Sequence, residues 1–251
     1  MPQVNFATVP SGVSVTEARI NELSFTAGET AAAFSRKLES LAGTYAKACD
    51  RYSRDAQGLI DSATDPETRS AAQNLAKRRL AQQVVSFRRT LVESSQADRA
   101  AVLARLKALA DEAEAISAVC ASATMMLGRV ALGEPRKTQL IEQLEEAGPT
   151  ELETAARMAI MSNDVVLAAA IAVVIDRRPR DCRPFAVGDF AQRVLGQVFE
   201  DANRKLQGVA LAYRTAQAAN LEFERGAPDP LTNLSLSLAR RAAAEAEGGA
   251  A

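Results

Sequence analysis

Apolar and small residues open the chain in a helical rhythm: Ile20, Leu23, Ala27, Ala31, Phe34, Leu38, Leu41, Tyr45, Ala48, Tyr52, Ala56 and Leu59. Their mean step is about 3.5 residues, between a straight helix and a supercoiled one. The pattern predicts one helix over about 15–62, opened by a capping box at Ser14-Val15-Thr16-Glu17. Gly28, Gly43 and Gly58 recur inside it, as points of close approach or of bending. Asp65-Pro66-Glu67 predicts a restart, with Asp as N-cap and Pro at the first helical position. Leu80, Val84, Phe87 and Leu91 then form a buried stripe, and Ser95 with Asp98 reads as the cap of a third helix.

That third helix carries the most regular pattern in the protein. Val102, Leu106, Leu109, Ala113, Ile116, Cys120, Ala123, Leu127 and Val130 alternate steps of four and three without a miss. This is a heptad seam, with small residues that admit a partner helix closely. Gly133 and Pro135 end it, a short amphipathic piece occupies 138–144, and Gly148-Pro149 stops that in turn. Thr150-Glu151-Leu152-Glu153 reads as another capping box, opening a helix that runs into the uninterrupted apolar stretch Val165–Ile175. Eleven apolar residues are too few to span a bilayer, which takes about 20. A last long helix is expected from Asp189, with Leu195, Phe199, Ala202, Leu206, Val209, Tyr213 and Ala216 again stepping four and three, to Gly226. At the tail the Leu-Ser alternation fits a short strand, while Leu231, Leu234 and Leu238 also suit a helix.

The pattern defines an all-α fold: an elongated antiparallel bundle of five or six long helices over 14–230, with an extended arm at 1–13 and a flexible tail at 231–251. Composition sharpens this. Alanine makes up 51 of the 251 residues, and aromatic residues only 4%. The core is therefore thin and drawn out along helix seams. The chain contains no histidine, which excludes Ser-His-Asp and Cys-His nucleophile pairs, a histidine general base and histidine-ligated metals. Thirty basic residues against thirty-one acidic ones give no global field toward nucleic acid or an anionic membrane. Cys49, Cys120 and Cys182 stand far apart, without metal or redox spacing, and suit a reducing compartment. The N-terminus lacks the basic and apolar regions of a signal peptide, so a cytoplasmic or particle-bound protein without a membrane span is expected.

Each candidate for chemistry has a plainer reading. Gly128 and Gly133 have the spacing of a phosphate loop, but Glu134 and Pro135 stand where Lys and Ser or Thr belong. Glu142, Glu145, Glu146, Glu151 and Glu153 fall where a short helix and a helix start want acids for solubility and the dipole. Lys77, Arg78, Arg79, Arg88 and Arg89 spread over most of a helix circumference, and pair most simply with acids such as Glu39, Asp50 or Glu112. Arg177, Arg178, Arg180 and Arg183 form a proline-held loop after the apolar stretch, suited to a salt-bridged contact or to binding carboxylates and phosphates.

The expected function is therefore non-enzymatic. The chain reads as a structural or assembly subunit, with no cofactor, no metal and no small-molecule substrate. Its partners are further copies of itself or other protein subunits in a larger particle; a phage or virion component fits, as does a bacterial scaffold. The interface candidates are Val102, Leu106, Leu109, Ile116, Leu127, Val166, Ile171, Arg177, Arg178, Arg180 and Arg183. Two alternatives stand beside it. One is a membrane-active protein that exposes 165–175. The other is a nucleic-acid-associated protein using the two arginine clusters.

Overall fold

The computed structural model describes residues 5–6, 15–226, 234–239 and 241. Most of the expected N-terminal arm and C-terminal tail lies outside them. Among the described residues the structure is all-helical apart from one two-residue antiparallel pairing, β1 (Asn5–Phe6) with β2 (Val15–Thr16), in register Asn5 to Thr16 and Phe6 to Val15. The helices are α1 (Glu17–Asp61), α2 (Pro66–Val119), α3 (Ala123–Arg129), α4 (Pro135–Glu145), α5 (Pro149–Ser162), α6 (Val165–Arg177) and α7 (Val187–Arg225). A single 3-10 turn spans Arg180–Cys182, and residues 234–239 are helical, which decides between the two readings of the leucine-serine stretch.

Several boundaries differ from the sequence reading, each for a local reason. Helix α1 is capped by Thr16, whose hydroxyl accepts the Arg19 N–H at 3.1 Å; Ser14 of the expected capping box lies outside the described residues. Two expected helices fuse into α2, because Ser95 does not cap. Its hydroxyl instead donates back to the Leu91 carbonyl at 2.7 Å, as serine can within a helix. The heptad seam is interrupted after Val119, and Ser122 restarts the chain as α3 by accepting the Met125 N–H. The expected single helix through 150–175 is two. Asn163 adopts a left-handed conformation, φ 50°, and closes α5; Asp164 then caps α6 by accepting the Leu167 N–H at 3.1 Å. Helix α5 begins two residues earlier than expected, with Gly148 as cap in place of Thr150, Pro149 at its first position and the Glu151 carboxylate accepting the Gly148 N–H at 2.8 Å.

The chain divides into two compact units, and α1, α2 and α7 each contribute to both. The first comprises residues 1–28, 108–211 and 241–251. Its hub is α6, which packs against α3, α4 and α5. Ala168, Ala169, Ala170, Ile171 and Ile175 are all completely buried, so the apolar stretch of the sequence is the centre of this unit. Three successive alanines let neighbouring helices approach while the isoleucines supply area, each worth about 1.5–3 kcal/mol when fully buried. Lys137 is buried in the same unit and donates to the Gly128 and Val130 carbonyls at 2.9 and 2.7 Å. It satisfies the open carbonyl end of α3, and burial pushes its ammonium below the ordinary lysine range. Arg19 on α1 meets Glu112 on α2 through two 2.8 Å bonds. The second unit comprises residues 29–107 and 212–240 and carries the candidate site.

Candidate interaction site

On α1 the apolar stripe is buried through Phe34 and Leu38 and only half-covered afterwards, at Leu41, Tyr45, Ala48, Tyr52, Ala56 and Leu59. The facing stripe of α2, at Leu80, Val84, Phe87 and Leu91, is half-covered too. From residue 39 to residue 94 only Ala76 is buried. The two helices nonetheless hold a register. Lys37 pairs with Asp98 at 2.7 Å, the Arg88 guanidinium lies over the Tyr45 ring at 5.5 Å, and Tyr52 meets the edge of Phe87 at 6.1 Å. Leu75 and Val85 are exposed on the same stretch of α2.

Where α7 reaches this pair, a cavity of about 530 Å³ opens, lined by residues including Leu38, Tyr45, Arg88, Leu91, Phe223 and Gly226. Arg88 donates to the Phe223 carbonyl at 3.0 Å. Gly226 ends α7 with φ 80°, and a Cβ there would collide with the Arg88 guanidinium. The conformation calls for glycine here, and a side chain would in addition displace the Arg88 guanidinium.

Beside the cavity sits the most heavily bonded side chain of the unit. Arg99 is 1% exposed. Its guanidinium donates to the Ser95 hydroxyl at 3.1 Å, the Val92 carbonyl at 3.0 Å, the Glu224 carboxylate at 2.6 Å and the Asn220 side-chain carbonyl, and lies over the Phe223 ring at 5.1 Å. The bond from Arg99 holds the Glu224 carboxyl below the usual range. Asn220 assists while partial burial opposes. Sequence reasoning missed this cluster, yet the spacing contains it. Continued backwards, the four-three seam of α2 lands on Arg99 and Ser95; continued forwards, that of α7 lands on Asn220 and Phe223. Polar residues at seam positions of two helices are the signal of a buried bond between them.

The predicted interface residues fall into different settings. Leu106, Ile116, Leu127 and Ile171 are completely buried by the chain itself, whereas Val102, Leu109 and Val166 are half-buried. In the arginine loop Arg178 donates to the Glu145 and Ala147 carbonyls, at 3.2 and 2.6 Å. Arg183 holds the Asp176 and Arg178 carbonyls, at 2.7 and 2.9 Å, and Arg177 pairs with Glu145 at 3.4 Å. Arg180 is exposed, and its guanidinium is unpaired among the described residues. These bonds tie the loop to the end of α4 and leave a single guanidinium open. On α2, Lys77, Arg78 and Arg79 are exposed and unpaired among the described residues, while Arg89 pairs with Glu93 and Glu112 pairs with Arg19 instead.

Among the described residues no group of three Cys, Asp or Glu side chains could hold a metal ion, and no helix is long and apolar enough to cross a membrane. Comparison with models of known families, with curated proteins and with solved structures finds no match to this chain.

Proposed function

We propose that the chain is a non-enzymatic structural subunit that joins copies of itself or other protein subunits into a larger particle, of which a virion is one example, through the faces of long antiparallel helices. One observation carries this reading: over residues 39–94 the apolar stripes of α1 and α2 remain half-covered, and Leu75 and Val85 are exposed on the far side of α2. Area left open along paired helices is area that further helices can cover, and apolar surface in contiguous stretches marks protein contact sites. Sedimentation of the full chain over a wide concentration series tests it. Association is expected, and Leu75→Lys with Val85→Lys is expected to weaken it without changing the helical signal. A wild-type chain that sediments as a monomer at every concentration overturns the reading.

A second reading, nucleic-acid association, draws on the exposed and unpaired Lys77, Arg78 and Arg79. It is less well supported, because the acids Asp55, Asp61, Asp65 and Glu67 stand on the same helical pair and would repel phosphates. Membrane insertion through 165–175 draws no support from the fold, since that stretch is the buried centre of its unit.

A further inference from the structure

The cavity at the end of α7 is bordered by α1, α2 and α7 within the second unit. Its apolar walls are the buried Leu38 of α1, the half-buried Leu91 and Val92 of α2 and the half-buried Phe223 of α7. Ala42 and Ala219 line it as well, and their short side chains leave its space open. Two carboxylates complete the lining, Glu39 from α1 and Glu222 from α7, both exposed and unpaired among the described residues. Arg88, the cation of the lining, is already engaged. It donates to the Phe223 carbonyl in the last turn of α7, lies over the Tyr45 ring and stands against Gly226. There its charge answers the negative end of the α7 dipole. The cavity thus keeps two carboxylates that no described side chain pairs with.

We propose that this cavity binds a small organic cation, an amine whose apolar body lies against Leu38, Leu91, Val92 and Phe223 and whose ammonium is met by Glu39 and Glu222. A volume of about 530 Å³ is that of an ordinary small-molecule site, and mostly apolar walls with a few charged groups are its usual makeup. Burying the body takes apolar surface of both partners out of water. An ammonium has three donors and no acceptor, so it can serve both carboxylates. The lining also sets the sign of the charge. An anion would have to draw Arg88 away from the Phe223 carbonyl, and would then stand beside two free carboxylates. An uncharged ligand would gain the walls alone. The site belongs to the single chain and is independent of the assembly reading, so either can fail without the other.

Titration of the full chain with phenethylamine tests this, followed by calorimetry and by backbone amide shifts in NMR spectra. Saturable binding is expected, with the shifts concentrated at lining residues such as Ala42, Leu91 and Ala219. Hydrocinnamate and phenethyl alcohol carry a similar aryl body with a carboxylate or a hydroxyl, and are expected to bind about tenfold or more weakly. Glu39→Gln with Glu222→Gln is expected to weaken phenethylamine about tenfold and to erase its advantage over the alcohol. Ala42→Leu, at an exposed helix position where leucine is well tolerated, is expected to weaken all binding by filling the cavity. Circular dichroism with urea unfolding checks that each variant is folded. A wild type without saturable binding, hydrocinnamate bound as tightly as the amine, or an affinity unmoved by the glutamine pair overturns the proposal.

Discussion

Arg99 shows how one side chain ties two helices together. A guanidinium that is 1% exposed must have its donors met, and Ser95, Val92, Asn220 and Glu224 meet them from α2 and α7. Removing one partner from such a set costs more than the set contributes, because the others are left without one. Arg99→Met is accordingly expected to cost about 2–4 kcal/mol in urea unfolding, below the range for a fully buried pair because Glu224 can turn to water. Glu224→Gln, which keeps an acceptor, is expected to cost less than about 1 kcal/mol at neutral pH. Its pH dependence has a fixed sign. The folded Glu224 carboxyl titrates below its ordinary value of 4.5, so its contribution is complete above that pH and is lost as the pH falls through the lowered folded value. The stability gap between wild type and Glu224→Gln should therefore close on acidification below 4.5, and a gap that widens there would contradict the bond.

At the scale of elements, glycine and packing give opposite expectations for two substitutions. A Cβ at Gly43 or Gly58 would meet nothing within 4 Å, which removes close approach as the reason for either residue. Both lie inside α1, where glycine costs backbone entropy. Gly43→Ala and Gly58→Ala are each expected to stabilise the chain by about 0.5–1 kcal/mol, read as a shift of the urea midpoint. Ile171 is the contrary case. It is completely buried on α6, against which α3, α4 and α5 pack. A carboxylate there has no partner, so Ile171→Asp should cost about 4 kcal/mol or more and speed hydrogen exchange across residues 123–177. Element boundaries were legible only in part. Pro66 marks a helix start that the structure keeps at the first helical position, since proline needs no N–H donor there, whereas Pro149, read as a stop, also opens a helix. Asn163 was not legible as a stop: asparagine tolerates the left-handed conformation without announcing it, and only the turn of α6 back onto α5 requires it.

For the molecule as a whole, self-association through apolar helix faces should persist as salt is added, because salt screens exposed charges over about 8–10 Å and leaves apolar contact intact. Sedimentation at low and high salt measures this, and association lost at high salt would assign it to charge instead. The sequence by itself determined the helical class, since alanine-rich apolar steps of three and four leave no alternative to helices and a chain without histidine lacks the commonest catalytic side chain. It also marked where the seams run, although the polar residues Arg99 and Asn220 that continue them were recognised only in the structure. Only the tertiary structure decided which apolar stripes are closed and which are open. Periodicity assigns the same pattern to Ile116, completely buried, and to Tyr52, half-covered, because it records the face a residue occupies on its own helix and not how many helices come to cover that face. It likewise could not tell that Arg178 and Arg183 fasten their own loop, since a guanidinium aimed at a carbonyl of its own chain and one aimed at a partner are the same letter in a sequence.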